Sequence, residues 1–123
     1  MRAFVFPGQG AQTIGMGREL ADAYPAAAAV FDEVDEALGE KLSALIRDGD
    51  IADLTLTANA QPALMATSIA ALRALEAEGF GVRDAAFVAG HSLGEYSALC
   101  AAGAIGLADT ARLLRLRGQV PIV

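Results

Sequence analysis

Cysteine and histidine are scarce in this 123-residue chain, which contains one of each. The single cysteine, Cys100, cannot form an internal disulfide, and this favours a reducing compartment. Cys100 lies in a helical pattern, so we expect it to pack in the interior rather than to act as a catalytic thiol. We predict no metal site.

Basic residues and long apolar runs are also few. The chain has 9 Lys and Arg against 15 Asp and Glu, a net charge of −6, which argues against nucleic acid or an anionic membrane as a partner. The longest apolar stretch, ALCAAGAIGLA, contains two glycines and is shorter than the roughly 20 residues that span a bilayer. The first residues have too short an apolar run before Pro7 for a signal peptide. We therefore predict a cytoplasmic protein.

What the chain does contain is short apolar runs separated by longer helical patterns. AFVF at 3–6 and DAAFVAG at 84–90 predict strands. Because such strands alternate with helices, the pattern predicts one α/β domain over 1–123, with a short parallel sheet and no internal boundary. The predicted helices cover 18–38 with a break at Pro25, 40–50 with a stop at Gly49, 60–80 after a cap among Thr57, Ala58 and Asn59, 92–104, and 107–118 with a stop at Gly118. In the helix over 60–80, Leu64, Ile69, Leu72 and Leu75 are predicted to share one face.

A serine between two glycines follows the second predicted strand. Gly90, Ser92 and Gly94 form the pattern Gly-x-Ser-x-Gly between a strand and a helix, which is typical of a nucleophile elbow. Glycine is favoured at both flanking positions because the turn is too tight for side chains. The N–H of Leu93 would then donate to an oxyanion. The alternative is a glycine-rich turn whose serine caps the helix.

Two neighbouring features are given no catalytic role from the residues alone. His91 directly precedes Ser92, and adjacent side chains diverge in a tight turn, so we do not expect it to be the base. The loop GQGAQTIGMG has its glycines at 8, 10, 15 and 17, which fits neither a dinucleotide-binding nor a P-loop pattern. Its glycines would instead let the backbone approach the serine.

Three segments resemble the malonyl-CoA:acyl carrier protein transacylases. They are FPGQGAQ at 6–12, GHSLGEYSAL at 90–99 and RLLRLRG at 112–118, and they occur in the family's order. The resemblance implies the N-terminal part of an acyltransferase core of α/β-hydrolase-like fold. The family's catalytic histidine and its smaller ferredoxin-like subdomain belong to a downstream part that this sequence lacks.

The resemblance also implies a role for each matching residue. Ser92 would accept the malonyl group as an ester, and the backbone of Gln9 would form the oxyanion hole with Leu93. Arg117 would pair with the free malonyl carboxylate, which a planar guanidinium can bind through two hydrogen bonds. Without the resemblance, Arg117 reads as a solvated charge beside a helix-ending glycine. The implied partners are malonyl-CoA and acyl carrier protein, with no cofactor beyond the CoA thioester and the acceptor's phosphopantetheine.

Three other interpretations remain open at this level. A serine hydrolase could use the same elbow with water as the final acceptor. The acyltransferase domain of a polyketide synthase shares the loop and the elbow. A non-catalytic fragment is the third, because the family's histidine is not in the sequence.

Overall fold

The computed structural model describes residues 3–81, 87–90 and 92–119, and within them the chain forms two strands and seven helices. In chain order these are β1 (Ala3–Phe6), α1 (Arg18–Ala23), α2 (Pro25–Leu38), α3 (Leu42–Asp48), α4 (Ile51–Thr55), α5 (Thr57–Ala77), β2 (Phe87–Gly90), α6 (Leu93–Ala101) and α7 (Leu107–Gln119).

The two strands pair in parallel, with Ala3 opposite Phe87 and Phe6 opposite Gly90. Parallel strands need a long crossover, and helices α1 to α5 lie in the connection between them. The predicted α/β class and parallel sheet are confirmed. Since both strands run in the same direction, the loops that follow them leave the same edge of the sheet. Residues 84–86 of the second predicted strand lie outside the described residues.

The core is built around α5, whose residues from Ala60 to Ala66 are all buried. Three of these seven residues are alanine, at positions 60, 63 and 66, and they let α2 and α7 pack closely against α5. Of the predicted apolar face, Leu64, Leu72 and Leu75 line one open groove of about 420 Å³ beside β1, in which Leu75 is 44% exposed.

Helix α4 and the start of α5 differ from the prediction. Helix α4 was not predicted; it is capped by Asp50, whose side chain accepts a hydrogen bond from the N–H of Ala52. Helix α5 begins at Thr57 rather than after a cap among residues 57–59, and the carbonyl of Leu56 accepts from the N–H groups of Asn59 and Ala60.

The last two helices end at other residues than predicted. Helix α6 stops at Ala101 because Gly103 adopts a left-handed conformation, with φ 84°, and the N–H of Ala104 turns back to the carbonyl of Leu99. Helix α7 continues through Gly118 to Gln119, so the predicted stop at Gly118 is wrong. A Cβ at Gly118 would lie 2.5 Å from the Cα of Ala58, so this glycine serves close packing between α7 and the start of α5.

The single cysteine lies in the interior of the fold. Cys100 is buried in the core, as expected, and burial raises the pKa of its thiol. None of the helices built from the described residues has the length and apolar character needed to cross a bilayer. Over the same ranges, no three His, Cys, Asp or Glu side chains are grouped as a metal would require.

Candidate active site

Ser92 occupies a strained corner between β2 and α6. Its backbone has φ 55° and ψ −113°, and it is the one non-glycine residue with positive φ in the described part of the chain. An L-residue adopts this conformation only when the surrounding structure enforces it, and such strain is concentrated at functional sites. The side chain is exposed and makes no capping hydrogen bond to α6. Ser92 occupies the N-cap position of α6, but the alternative in which its hydroxyl caps the helix is wrong.

Gly90 and Gly94 form the two sides of this corner. A Cβ at Gly90 would overlap the carbonyl of Gly94, and a Cβ at Gly94 would overlap the carbonyl of Phe6. Backbone carbonyls cannot move aside as a flexible side chain can, so any side chain here would push α6 away from the sheet. Because both residues are glycine, the N-terminus of α6 can lie directly against the ends of both strands.

The loop after β1 leaves the sheet beside this corner, because Phe6 pairs with Gly90. In this loop, Gln9 is exposed and its side-chain Nε2 donates to the Oγ1 of Thr57, at 3.2 Å. Gly10 has φ 112°, and its N–H donates to the side-chain oxygen of Gln12 at 2.8 Å. The side chain of Gln9 is thus directed to the first residue of α5, and the predicted role of Gln9 concerns its backbone.

Arg117 connects Ser92 to the helical core. Its Nη2 donates to the Oγ of Ser92 at 2.8 Å, and its Nη1 donates to the Oε1 of Gln61 at 2.9 Å. Its Cζ lies 5.3 Å from the centroid of the Tyr96 ring, within the range of a cation–π contact. The interpretation of Arg117 as a solvated charge at a helix end is therefore wrong. The structure brings its guanidinium to the serine that the sequence singled out.

Gln61 is the residue that sequence reasoning missed. It is buried, at 6% exposure, in a stretch of α5 whose neighbours are Ala60, Pro62 and Ala63. A polar residue at an otherwise apolar, buried helix position was the available signal, because such a residue requires a hydrogen-bonding partner. Its partner lies 56 residues away in sequence, which no local pattern reveals.

The electrostatics of the corner favour negative charge. Ser92 precedes the first turn of α6, where backbone N–H groups have no partner within the helix and the helix dipole is positive. The guanidinium of Arg117 adds a full positive charge within hydrogen-bond distance of the hydroxyl. The arrangement can hold an acyl group that carries its own anion, and it can stabilise a developing oxyanion.

Arg117 cannot be the base that activates Ser92, because a guanidinium donates hydrogen bonds and accepts none. His91, which the sequence excluded as the base, lies outside the described residues. Leu93 follows Ser92 directly as the first residue of α6, and Gln9 lies in the loop after β1, whose last residue Phe6 pairs with Gly90.

A serine on a sharp turn between a strand and a helix of an α/β fold is an arrangement typical of enzymes that form an ester on that serine. The family described as acyl transferase domain matches residues 3–122, so the chain belongs to the acyl transferase domain family.

The relatives that this chain resembles include malonyl transacylases. The malonyl CoA-acyl carrier protein transacylase of Bacillus subtilis (strain 168) is 56% identical over 117 residues, which are 95% of this chain and 36% of that protein. The acyl-carrier-protein-S-malonyltransferase of Bartonella henselae has a solved structure that is 62% identical with a TM-score of 0.92, covering 96% of this chain and 38% of that one.

A third relative was solved as a complex. It is a malonyl-transacylase bound to its type II polyketide synthase acyl carrier protein, 44% identical with a TM-score of 0.89, covering 97% of this chain and 40% of that one. The present chain thus spans 36–40% of the length of these three relatives, and it corresponds to the N-terminal part of the acyltransferase structures.

Proposed function

We propose that the protein transfers a malonyl group from malonyl-CoA to the phosphopantetheine thiol of acyl carrier protein, through an ester on Ser92. The observation that carries the proposal is the 2.8 Å hydrogen bond between Arg117 Nη2 and Ser92 Oγ. It puts a cation at the hydroxyl, where an acyl group with a free carboxylate would be held. The names of the relatives support the choice of malonyl.

The first half-reaction forms the ester. The Oγ of Ser92 attacks the thioester carbonyl, the C–S bond breaks, and CoA leaves as the thiol with the proton that the serine gives up. The backbone N–H groups of Leu93 and Gln9 are the proposed donors to the oxyanion, with Gly90 and Gly94 forming the nucleophile elbow. The base in this step is the downstream histidine that the family resemblance implies, which is not among these 123 residues.

Arg117 gives the selectivity. Its guanidinium has more N–H donors than the bonds to Ser92 and Gln61 use, so a carboxylate can be bound by two of them. An acetyl group has no carboxylate, so the positive charge of Arg117 would be left without a counter-ion. A site built to bind a charged group disfavours a substrate that lacks it, so the rate of acetyl transfer should be much lower.

The second half-reaction regenerates the enzyme. The thiol of phosphopantetheine attacks the Ser92 ester, the malonyl thioester forms, and the serine recovers its proton. The relative solved with its carrier protein supports acyl carrier protein as the acceptor. We assign the reaction to fatty acid biosynthesis in the cytoplasm.

The test is to incubate the full-length gene product with malonyl-CoA and record its intact mass. One malonyl group should be added and should map to Ser92 in a peptide digest, and Ser92→Ala should remain unmodified. Adding acyl carrier protein should then remove the malonyl group and transfer it to the carrier. An adduct at another residue, or no adduct, contradicts the proposal. Release of free malonate at the same rate with and without carrier protein would favour the hydrolase instead.

A second measurement addresses Arg117. Replacing Arg117 with alanine should lower kcat/KM for malonyl-CoA by about 100-fold or more, while acetyl transfer changes far less, because only malonyl loses a charge-assisted contact. Equal losses for the two substrates would rule out its role in binding the carboxylate.

A further inference from the structure

We infer that Gln61 is a positioning residue, which orients the guanidinium of Arg117 and thereby sets the preference for acyl groups that carry a free carboxylate. The inference rests on the proposed function, and it adds to it the residue through which Arg117 acts.

The hydrogen bond between the two residues has a defined direction. The Oε1 of Gln61 accepts from Nη1 of Arg117 at 2.9 Å, and a guanidinium is a donor only, so the amide oxygen must face the arginine. Gln61 is 6% exposed. Burial of an amide costs free energy unless it is hydrogen-bonded, so the side chain of Gln61 is stabilised in this orientation by its contact with Arg117.

The guanidinium is fixed by contacts from three directions. Gln61 holds Nη1, Ser92 holds Nη2, and the Tyr96 ring lies 5.3 Å from Cζ. A planar group held at both terminal nitrogens has one orientation left. When a substrate carboxylate takes the position of the serine hydroxyl on Nη2, the bond from Nη1 to Gln61 still defines the plane.

The helix carrying Gln61 is itself held close to the arginine. Gly118, next to Arg117, lies against the backbone of Thr57 and Ala58 at the start of α5. A side chain at position 118 would push α7 away from α5. The hydrogen bond between Gln61 and Arg117 therefore depends on this close approach of the two helices.

The charge of the residue at position 61 matters as well as its hydrogen bond. A neutral amide accepts from Arg117 and leaves the positive charge available to the substrate. A carboxylate at this position would pair with Arg117 and compete with malonate for the cation. The structure thus favours glutamine over glutamate for a site that binds an anionic acyl group.

The experiment measures single-turnover acylation of Ser92 by malonyl-CoA and acetyl-CoA in the full-length gene product. The variants are Gln61→Met, which keeps the length and loses the acceptor, and Gln61→Glu, which keeps an acceptor and adds charge. Thr67→Val is the matched control, because it removes a side-chain hydrogen bond within the same helix, to the carbonyl of Ala63, away from Arg117.

We expect both Gln61 variants to lower the malonyl-to-acetyl ratio of acylation rates by about 10-fold or more, and Thr67→Val to leave the ratio unchanged. In an Arg117→Ala background, Gln61→Met should have no further effect on the ratio, because the glutamine acts through the arginine.

The outcomes separate this inference from the proposed function. No malonyl ester in the unmodified protein would overturn the proposed function. A malonyl ester there, with both rates falling equally in Gln61→Met and Gln61→Glu, would overturn the positioning role alone. The same conclusion would follow if Gln61→Met lowered the ratio equally with and without Arg117. Should Gln61→Met not fold, Gln61→Glu decides, since an unchanged ratio in that variant contradicts the inference.

Discussion

The helical region and the sheet differ in how completely they are covered. Around α5, the packed faces of α2 and α7 are closed, with Ile69, Leu114 and Val34 at most 1% exposed. On the sheet side, Val5 of β1 is 74% exposed and an open groove of about 420 Å³ runs between β1 and α5. Parallel sheets are ordinarily covered on both faces. Among the described residues, the helical region is therefore fully packed, whereas the sheet is covered only in part.

The candidate site lies where the two regions meet, and each supplies a different part of it. The strand ends carry the loops with Ser92 and Gln9, the groups proposed to react with the acyl carbonyl. Helices α5 and α7 carry Gln61 and Arg117, the groups proposed to hold its charge. The well-packed region therefore fixes the cation, and the open region presents the hydroxyl.

The largest effect is expected at the corner on the sheet side. Ser92→Ala and Ser92→Gly should each reduce acyl transfer by about 10,000-fold or more, because the nucleophile is lost. Ser92→Gly should also be about 1 kcal/mol more stable than Ser92→Ala, because glycine adopts φ 55° and ψ −113° without strain. Urea unfolding of the two variants measures the difference. Equal stabilities would mean that this corner stores no strain.

The contact between the sheet and α6 is the next largest. Gly94→Ala should destabilise the protein by about 3 kcal/mol or more, since its Cβ would overlap the carbonyl of Phe6. Gly106→Ala is the matched control, because a Cβ there would meet nothing within 4 Å, and it should change stability by about 1 kcal/mol or less. If the two variants unfold at the same urea concentration, the sheet side does not depend on this close approach.

A smaller effect with a diagnostic sign is expected in the helical region. In an ordinary helix interior, replacing glycine with alanine stabilises by about 0.5–1 kcal/mol. Gly118→Ala should instead destabilise by about 1–3 kcal/mol, because its Cβ would lie 2.5 Å from the Cα of Ala58. Thermal unfolding gives the sign directly. A stabilised variant would show that α7 and α5 can separate at no cost.

The difference between the two regions also explains what the sequence could predict. The strands were predictable from their short apolar runs, and the tight turn was predictable because Gly90, Ser92 and Gly94 are constrained by the local backbone. Gly118 was misread as a helix stop, since a glycine that ends a helix and one that admits a neighbouring helix have the same local pattern. Gln61 and the exposure of Leu75 depend on which distant residue packs against α5, and that is information from tertiary structure alone.

The smallest effect tests whether the helical core is closed around Cys100. Burial, the largest influence, raises the pKa of this thiol in the folded protein, although Thr110 and Arg73 act in the opposite direction. The unfolded chain therefore loses its thiol proton first, at an ordinary thiol pKa of about 8.5, and binds fewer protons than the folded chain above that pH. Stability from this group is fully present below that pKa and is lost as the pH rises.

Urea unfolding from about pH 7.5 to 9.5 should then show a decline in stability that is shallower in Cys100→Ala, and comparing slopes removes the constant cost of the smaller side chain. Tyr24 contributes in the same direction at higher pH, because its hydroxyl donates to Glu78 and this raises the tyrosine pKa. Its contribution is common to both proteins. If the thiol reacts with a disulfide reagent as fast in the folded protein as in urea, the core is not closed around Cys100. If it reacts slowly in the folded protein but the pH slopes of stability are equal in the two proteins, burial excludes the reagent without raising the thiol pKa, which means that water reaches the sulfur.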